Sequence, residues 1–119
     1  MFRILVVDDE PDQRFVLRRV FERAGHEVVE AADGVTALQV VAGRRPDLVV
    51  TDVMMPVMDG VELIRRLRAG AATMDIPILC VSGDGQLAAG ADAVLAKPYK
   101  LAELISVTQD LLHEGSGGR

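Results

Sequence analysis

Near its start the chain reads Ile4-Leu5-Val6-Val7-Asp8-Asp9-Glu10, four apolar residues followed directly by three acidic ones. An uninterrupted apolar run of this kind predicts a parallel β-strand that is covered on both faces. The chain contains four further apolar runs, at Val28–Val29, Leu48–Val50, Ile78–Val81 and Ala93–Ala96. The sequence therefore predicts five strands.

Segments with helical periodicity lie between these strands and after the last one. Apolar residues recur at helical spacing within Leu17–Ala24, Leu38–Ala42, Leu63–Leu67 and Leu101–Leu112. Asp33 and Asp59 are suited to cap the starts of the second and third helices, and Pro11 is tolerated in the first turn of the first helix. The alternation predicts an α/β fold, a doubly wound parallel sheet with helices on both faces.

The interval between the fourth and fifth strands is too short for an ordinary crossover helix. Ser82 to Asp92 is eleven residues, three of which are glycine, whereas such a crossover normally needs about a dozen or more. We predict only a helix of one or two turns at about residues 86–89, or an irregular loop in its place.

The composition fits one aliphatic domain. The chain has 119 residues, of which 50% are hydrophobic and only 3% aromatic, so the core must consist of Val, Leu, Ile and Ala. We predict a single domain over residues 1–114 and a flexible tail over residues 115–119, which read Gly-Ser-Gly-Gly-Arg.

Charge and cysteine content argue against several classes of protein. With 18 acidic and 13 basic side chains the net charge is −5, which argues against direct binding of nucleic acid through a basic face. The single Cys80 cannot form an internal disulfide, and no apolar run reaches about 18 residues. We therefore expect a cytoplasmic protein without a membrane segment.

Chemically reactive side chains follow four of the five strands. These side chains are Asp8 and Asp9 after the first strand, Asp52 after the third, Ser82 after the fourth and Lys97 after the fifth. In an open parallel sheet these positions meet at one edge. Three carboxylates would repel one another unless they held a divalent cation, and oxygen ligands favour Mg²⁺, Mn²⁺ or Ca²⁺, with Mg²⁺ as the natural occupant. The set suits phosphoryl transfer to a carboxylate.

At these residues the sequence resembles the receiver domain of two-component response regulators, over nearly the whole chain. The matching motifs are Ile4–Glu10, Pro46–Gly60, Gly90–Asp92 and Lys97–Tyr99. The resemblance implies a flavodoxin-like sheet of strand order 2-1-3-4-5. It also implies that Lys97-Pro98 is a cis peptide bond.

The resemblance further implies a role for each site residue. Asp52 would accept a phosphoryl group from a sensor histidine kinase or a histidine phosphotransfer protein. Asp9, Asp52 and the main-chain carbonyl of Met54 would bind Mg²⁺ (or Mn²⁺) directly, and Asp8 would act mostly through a coordinated water. Ser82 would donate a hydrogen bond to the phosphoryl group, and Lys97 would pair with it. The chain would then be a phosphoacceptor that assists its own phosphotransfer and dephosphorylation, not an enzyme.

One position and one interval of the sequence depart from the family pattern. Val94 stands where most receivers carry an aromatic side chain that rotates inward on phosphorylation, and the nearby Tyr99 is predicted to be a packing residue. The short interval after Ser82 predicts that the usual fourth helix is short or irregular. We expect residues 83–90 to be a flexible loop that is ordered by phosphoryl and metal binding at Ser82. Asp84 is interpreted as a solvated acid of this loop, with an influence on dephosphorylation as the alternative.

The sequence leaves two other functions open. The chain could be a receiver-like interaction module that does not use phosphorylation. A phosphatase or transferase of the aspartyl-phosphate type is a third reading, but such enzymes need an acid two residues after the nucleophile and usually a cap domain. The downstream protein target and the existence of a homodimer are not determined by the sequence.

Overall fold

The computed structural model describes residues 1–55 and 57–117, without the side chains of residues 114–117. The strands are β1 (Arg3–Val7), β2 (Glu27–Ala31), β3 (Leu48–Asp52), β4 (Ile78–Ser82) and β5 (Ala93–Ala96). They form one parallel sheet in the order β2-β1-β3-β4-β5, which confirms the predicted fold class and strand order.

Four helices accompany the sheet in the described part of the chain. They are α1 (Pro11–Arg23), α2 (Gly34–Gly43), α3 (Gly60–Ala69) and α4 (Leu101–Gly117). The predicted caps are confirmed: the Asp33 carboxylate accepts a hydrogen bond from the Thr36 amide at 2.7 Å, and the Asp59 carboxylate accepts one from the Glu62 amide at 3.0 Å.

The core is divided between the two faces of the sheet. In β1, Ile4 and Val6 pack with α1 and α4 on one face, whereas Leu5 and Val7 pack with α2 and α3 on the other. Successive side chains of a strand point to opposite faces, so a strand that is covered on both faces must be apolar throughout. This is the physical reason for the continuous apolar run near the start of the chain.

The central strands extend further than their apolar runs. Thr51 and Asp52 are the last two residues of β3, and Ser82 is the last residue of β4, whereas the sequence placed all three just beyond the strands. Their backbones are therefore held in the sheet. Strand pairing fixes the backbone positions of these three residues, but it does not fix the partner of the Ser82 side chain.

The last helix also extends further than predicted. α4 continues to Gly117 and so includes residues 115–117 of the predicted tail, whose flexibility stays a prediction. Residues 118 and 119 lie outside the described residues, and the boundary of the domain stays a prediction. Among the described residues, no helix is both long enough and apolar enough to cross a bilayer.

The segment between β4 and β5 is an irregular loop, which was one of the two predicted forms, the other being a helix of one or two turns. Its end is anchored by Arg68 of α3, whose guanidinium donates to the Gly90 carbonyl at 2.8 Å and to the Asp92 carboxylate at 2.7 Å. The same Asp92 oxygen accepts the Ile78 amide at 2.8 Å. Gly90 has a φ of +91°, a conformation that glycine adopts without steric cost.

Val94 and Tyr99 are both half-buried and pack on opposite faces of the sheet. Val94 lies against the core on the face of α2 and α3, and Tyr99 lies against the core on the face of α1 and α4. The packing role predicted for Tyr99 is confirmed. Burial raises the pKa of its hydroxyl, which therefore stays protonated at neutral pH.

Candidate functional site

Three carboxylates meet at the carboxyl edge of the sheet, where the sequence placed them. One oxygen from each of Asp8, Asp9 and Asp52 lies within 4.8 Å of the other two. Asp8 and Asp52 are 4% and 9% exposed, whereas Asp9 is exposed. β1 pairs directly with β3, with Val7 opposite Thr51, so the residue that follows each of these two lies at the same level.

Lys97 brings a positive charge to this cluster. Its Nζ donates to Oδ2 of Asp52 at 2.9 Å. The Lys97 amide donates to the Ser82 carbonyl at 2.9 Å, which ties the residue after β5 to the end of β4. The peptide bond from Lys97 to Pro98 is cis, as expected.

The charges of the site are incompletely balanced. Burial, together with the negative charges of Asp52 and Asp9, raises the pKa of the Asp8 carboxyl, although the Glu10 amide and Lys97 act in the opposite direction. Burial opposes the charge of Lys97, but its hydrogen bond to Asp52 and the surrounding carboxylates outweigh that effect and raise its pKa. Three carboxylates against one ammonium leave an excess of negative charge.

This donor set fits a hard divalent cation. The oxygens of Asp8, Asp9 and Asp52 are close enough to share one ion, and Mg²⁺ is commonly held by a few carboxylates with waters in its remaining positions. The Met54 amide donates to Oδ1 of Asp52 at 3.2 Å, so the chain turns around that carboxylate directly after β3. Coordination by the Met54 carbonyl stays a prediction.

Gly60 is a structural part of the site that the sequence reading did not single out. A Cβ at this position would lie 2.3 Å from the Asp52 carbonyl oxygen and 2.9 Å from the Val53 Cα. The start of α3 therefore packs directly on the backbone of Asp52, an approach that only glycine allows. The available signal was the position of Gly60 directly after Asp59, the N-cap of α3.

Arg14 is a second residue that the sequence reading missed. Its Nη1 donates to the Asp8 carbonyl at 2.6 Å, and its Nε pairs with Glu30 at 3.1 Å. The side chain thus links α1 and β2 to the loop that carries the metal-ligand candidates. Its position one helical turn after Glu10 was compatible with this contact but did not predict it.

Ser82 is 6% exposed, and its hydroxyl is engaged by the loop that follows β4. Its Oγ donates to Oδ1 of Asp84, and the Asp84 amide lies 3.3 Å from that Oγ. Oδ1 of Asp84 also accepts the Gln86 amide at 3.0 Å. Asp84 is exposed, as expected of a solvated loop acid, and its carboxylate also accepts hydrogen bonds from Ser82 and from the main-chain amide of Gln86.

Comparison with known proteins agrees with this geometry. Residues 4–109 match the family model of the response regulator receiver domain. The response regulator MprA of Mycobacterium sp. (strain KMS) is 44% identical over an alignment 121 residues long that covers 96% of this chain and 52% of that protein. The chain therefore spans about half the length of the curated relatives it matches.

Solved structures give the same result. The receiver domain of a Pseudomonas aeruginosa sensor histidine kinase, which has a magnesium ion coordinated in its active-site cleft, is 30% identical with a TM-score of 0.87, over 93% of this chain and 97% of that one. The response regulator protein TrrA of Thermotoga maritima, in complex with Mg²⁺ and BeF, is 31% identical with a TM-score of 0.84, over 93% of this chain and 99% of that one. The chain belongs to the receiver domain family of response regulators.

Proposed function

We propose that Asp52 is the residue that this receiver domain uses to accept a phosphoryl group. The observation that supports this most is the contact of Lys97 with Asp52 beside Asp8 and Asp9. An ammonium placed 2.9 Å from Asp52 would also lie beside a phosphoryl group attached there and would offset its charge.

The transfer forms one bond and breaks another. An oxygen of Asp52 forms a bond to phosphorus as the bond from phosphorus to the imidazole nitrogen of a phosphohistidine breaks, and that nitrogen keeps the electron pair. Ser82 supplies a hydroxyl that donates to a phosphoryl oxygen. The chain is in this proposal a phosphoacceptor that assists its own phosphorylation and dephosphorylation, rather than an enzyme with a separate substrate.

Asp8, Asp9 and Asp52 would hold the Mg²⁺ that this chemistry requires, with Mn²⁺ as a substitute. When bound, the ion offsets the negative charge of the phosphoryl oxygens and of the three carboxylates. Burial, followed by the negative charges of Asp52 and Asp9, raises the pKa of the Asp8 carboxyl, and a bound cation would offset both effects. Asp8 and Asp52 are nearly buried, so their orientation does not depend on the ion alone.

The phosphoryl donor is a sensor histidine kinase or a histidine phosphotransfer protein, and it binds on the first helix. Phe15, Val16 and Leu101 are 58%, 52% and 54% exposed and line a groove of about 330 Å³ between α1 and α4. Arg19 lies 5.7 Å from the centre of the Phe15 ring at this groove. An apolar surface with basic neighbours suits a helical and acidic partner.

In this proposal the transfer of the phosphoryl group to Asp52 takes place in the cytoplasm.

Phosphorylation is tested with acetyl phosphate and Mg²⁺, followed by intact mass and peptide mapping. We expect one phosphoryl adduct on the wild type and none on Asp52→Asn. Asp75→Asn is the matched control, because Asp75 is exposed and precedes β4, at the opposite edge of the sheet. Omission of Mg²⁺ should abolish the adduct.

The same experiment can contradict the proposal. A wild type that takes no adduct from acetyl phosphate or from a phosphohistidine donor would favour an interaction module that works without phosphorylation. An adduct that persists in Asp52→Asn would place the phosphoacceptor elsewhere.

A further inference from the structure

We propose that Asp84 is a positioning residue that holds the Ser82 hydroxyl away from the phosphoryl site and so slows phosphorylation of Asp52. The inference rests on the proposed function of Asp52. It concerns the loop between β4 and β5.

The geometry gives Ser82 two competing partners. Ser82 ends β4 directly beyond Val81, which pairs with Asp52 of β3, so the hydroxyl and the phosphoacceptor share one edge of the sheet. A hydroxyl carries a single proton and donates one hydrogen bond at a time. That proton is directed to Oδ1 of Asp84, so it must change partner before Ser82 can donate to a phosphoryl oxygen.

Two hydrogen bonds fix the position of the Asp84 carboxylate. Its Oδ1 also accepts the Gln86 amide at 3.0 Å, and the Asp84 amide lies 3.3 Å from the Ser82 oxygen. The hydrogen bond from Ser82, followed by that from Gln86, lowers the pKa of the Asp84 carboxyl, so the group is charged at neutral pH. A charged acceptor binds a hydroxyl more strongly than a neutral one does.

Release of Ser82 would alter the surface beside the site. Ser82, Asp84 and Gln86 line a cleft of about 280 Å³ together with the apolar side chains of Val53 and Leu87. When Ser82 turns to the phosphoryl group, Asp84 loses one of the two donors to its Oδ1, and the first turn of the loop loses a hydrogen bond that fixes its conformation. This coupling connects phosphorylation to a surface in a chain whose Val94 cannot act as an aromatic switch.

A simpler explanation must be separated from this one. The negative charge of Asp84 could slow phosphorylation by repelling the phosphoryl donor, without any action through Ser82. The two explanations differ in one respect: positioning requires the Ser82 hydroxyl, whereas repulsion does not. A double-mutant cycle of the two residues therefore distinguishes them.

The experiment measures initial rates of phosphorylation by acetyl phosphate, with saturating Mg²⁺, by intact mass. The acetyl oxygen leaves with the electron pair as the Asp52 oxygen bonds to phosphorus, and acetate is released. We expect Asp84→Ala to be phosphorylated about five times faster than the wild type, the size of one modest hydrogen bond. In a Ser82→Ala background, the same Asp84→Ala change should leave the rate unaltered.

Two further variants complete the design. Asp84→Asn removes the charge but keeps an acceptor oxygen, and its rate should lie between those of the wild type and Asp84→Ala. Gln86→Ala is the control for disturbance of the loop. Residue 86 donates its main-chain amide to Asp84, and this group is kept in alanine, so the phosphorylation rate should not change.

Each contrary outcome has a definite meaning. An equal acceleration by Asp84→Ala with and without the Ser82 hydroxyl would show charge repulsion and overturn the positioning role. A wild type that is phosphorylated as fast as Asp84→Ala would also overturn it while leaving Asp52 as the phosphoacceptor. A wild type that takes no adduct would contradict the proposed function itself.

Discussion

The two crossovers on either side of β4 both connect neighbouring parallel strands, but they differ in structure. Between β3 and β4 the chain forms α3, which places Leu63, Ile64 and Leu67 in the core with no exposed surface. Between β4 and β5 it forms an irregular loop whose large apolar side chain, Leu87, is 57% exposed. One crossover is held by large buried apolar side chains, whereas the other is held by hydrogen bonds and by the small, partly buried side chains of Ala88 and Ala91.

This difference divides the site into a rigid half and an adjustable half. Asp52 lies at the rigid side, where Gly60 brings α3 against its backbone. Ser82 lies at the adjustable side, where the loop is attached through Asp84 at its start and through Arg68 at its end. A few hydrogen bonds near solvent can exchange partners at lower cost than a packed core can rearrange. We therefore expect changes on phosphorylation to be concentrated in the loop.

The largest expected effect is on stability. Leu63→Ala should lower the free energy of unfolding by about 2–5 kcal/mol, because a cavity remains where a fully buried side chain stood. Leu87→Ala, the matched change in the other crossover, should cost no more than about 0.5 kcal/mol. Urea denaturation followed by circular dichroism measures both. Equal losses would show that the loop is packed as firmly as α3.

Glycine substitutions sharpen the same contrast at the site. Gly60→Ala should destabilise the fold by about 1–3 kcal/mol, because the new Cβ would meet the Asp52 backbone at 2.3 Å. It should also slow phosphorylation by displacing Asp52. Gly83→Ala should leave both quantities nearly unchanged, since nothing lies within 4 Å of the added Cβ. A Gly60→Ala variant with the stability and phosphorylation rate of the wild type would refute the close contact.

The smallest expected effect concerns the anchor at the end of the loop. Asp92→Ala should cost about 1 kcal/mol, because the Ile78 amide and the Arg68 guanidinium lose an acceptor at a position near solvent. Amide exchange should become faster at residues 88–92 and stay unchanged in α3, as measured by hydrogen exchange and mass spectrometry. Asp110→Ala on the exposed surface of α4 is the control. Faster exchange throughout the chain would indicate general destabilisation instead of a local anchor.

Much of the fold was predictable because it follows from local patterns. Apolar runs marked the strands, Asp33 and Asp59 marked helix starts, and the eleven residues from Ser82 to Asp92 already excluded a full helix. The errors concerned the ends of strands and helices. Asp52 and Ser82 belong to β3 and β4, because a polar residue can pair through its backbone in a sheet even after the apolar run has ended. α4 continued beyond the glycine at which a tail was predicted.

The sequence by itself determined which side chains meet at this edge of the sheet, because the carboxyl ends of parallel strands must lie together and Asp8, Asp52 and Lys97 follow or end such strands. Only the tertiary structure decided which atoms bind one another there. The contact of Gly60 with Asp52 and the anchoring of the loop by Arg68 join residues distant in the chain. The partner of the Ser82 hydroxyl depends on a loop conformation that no periodic pattern encodes. Such contacts follow from the packing of α3 and the loop against the sheet, and packing is a property of the whole fold.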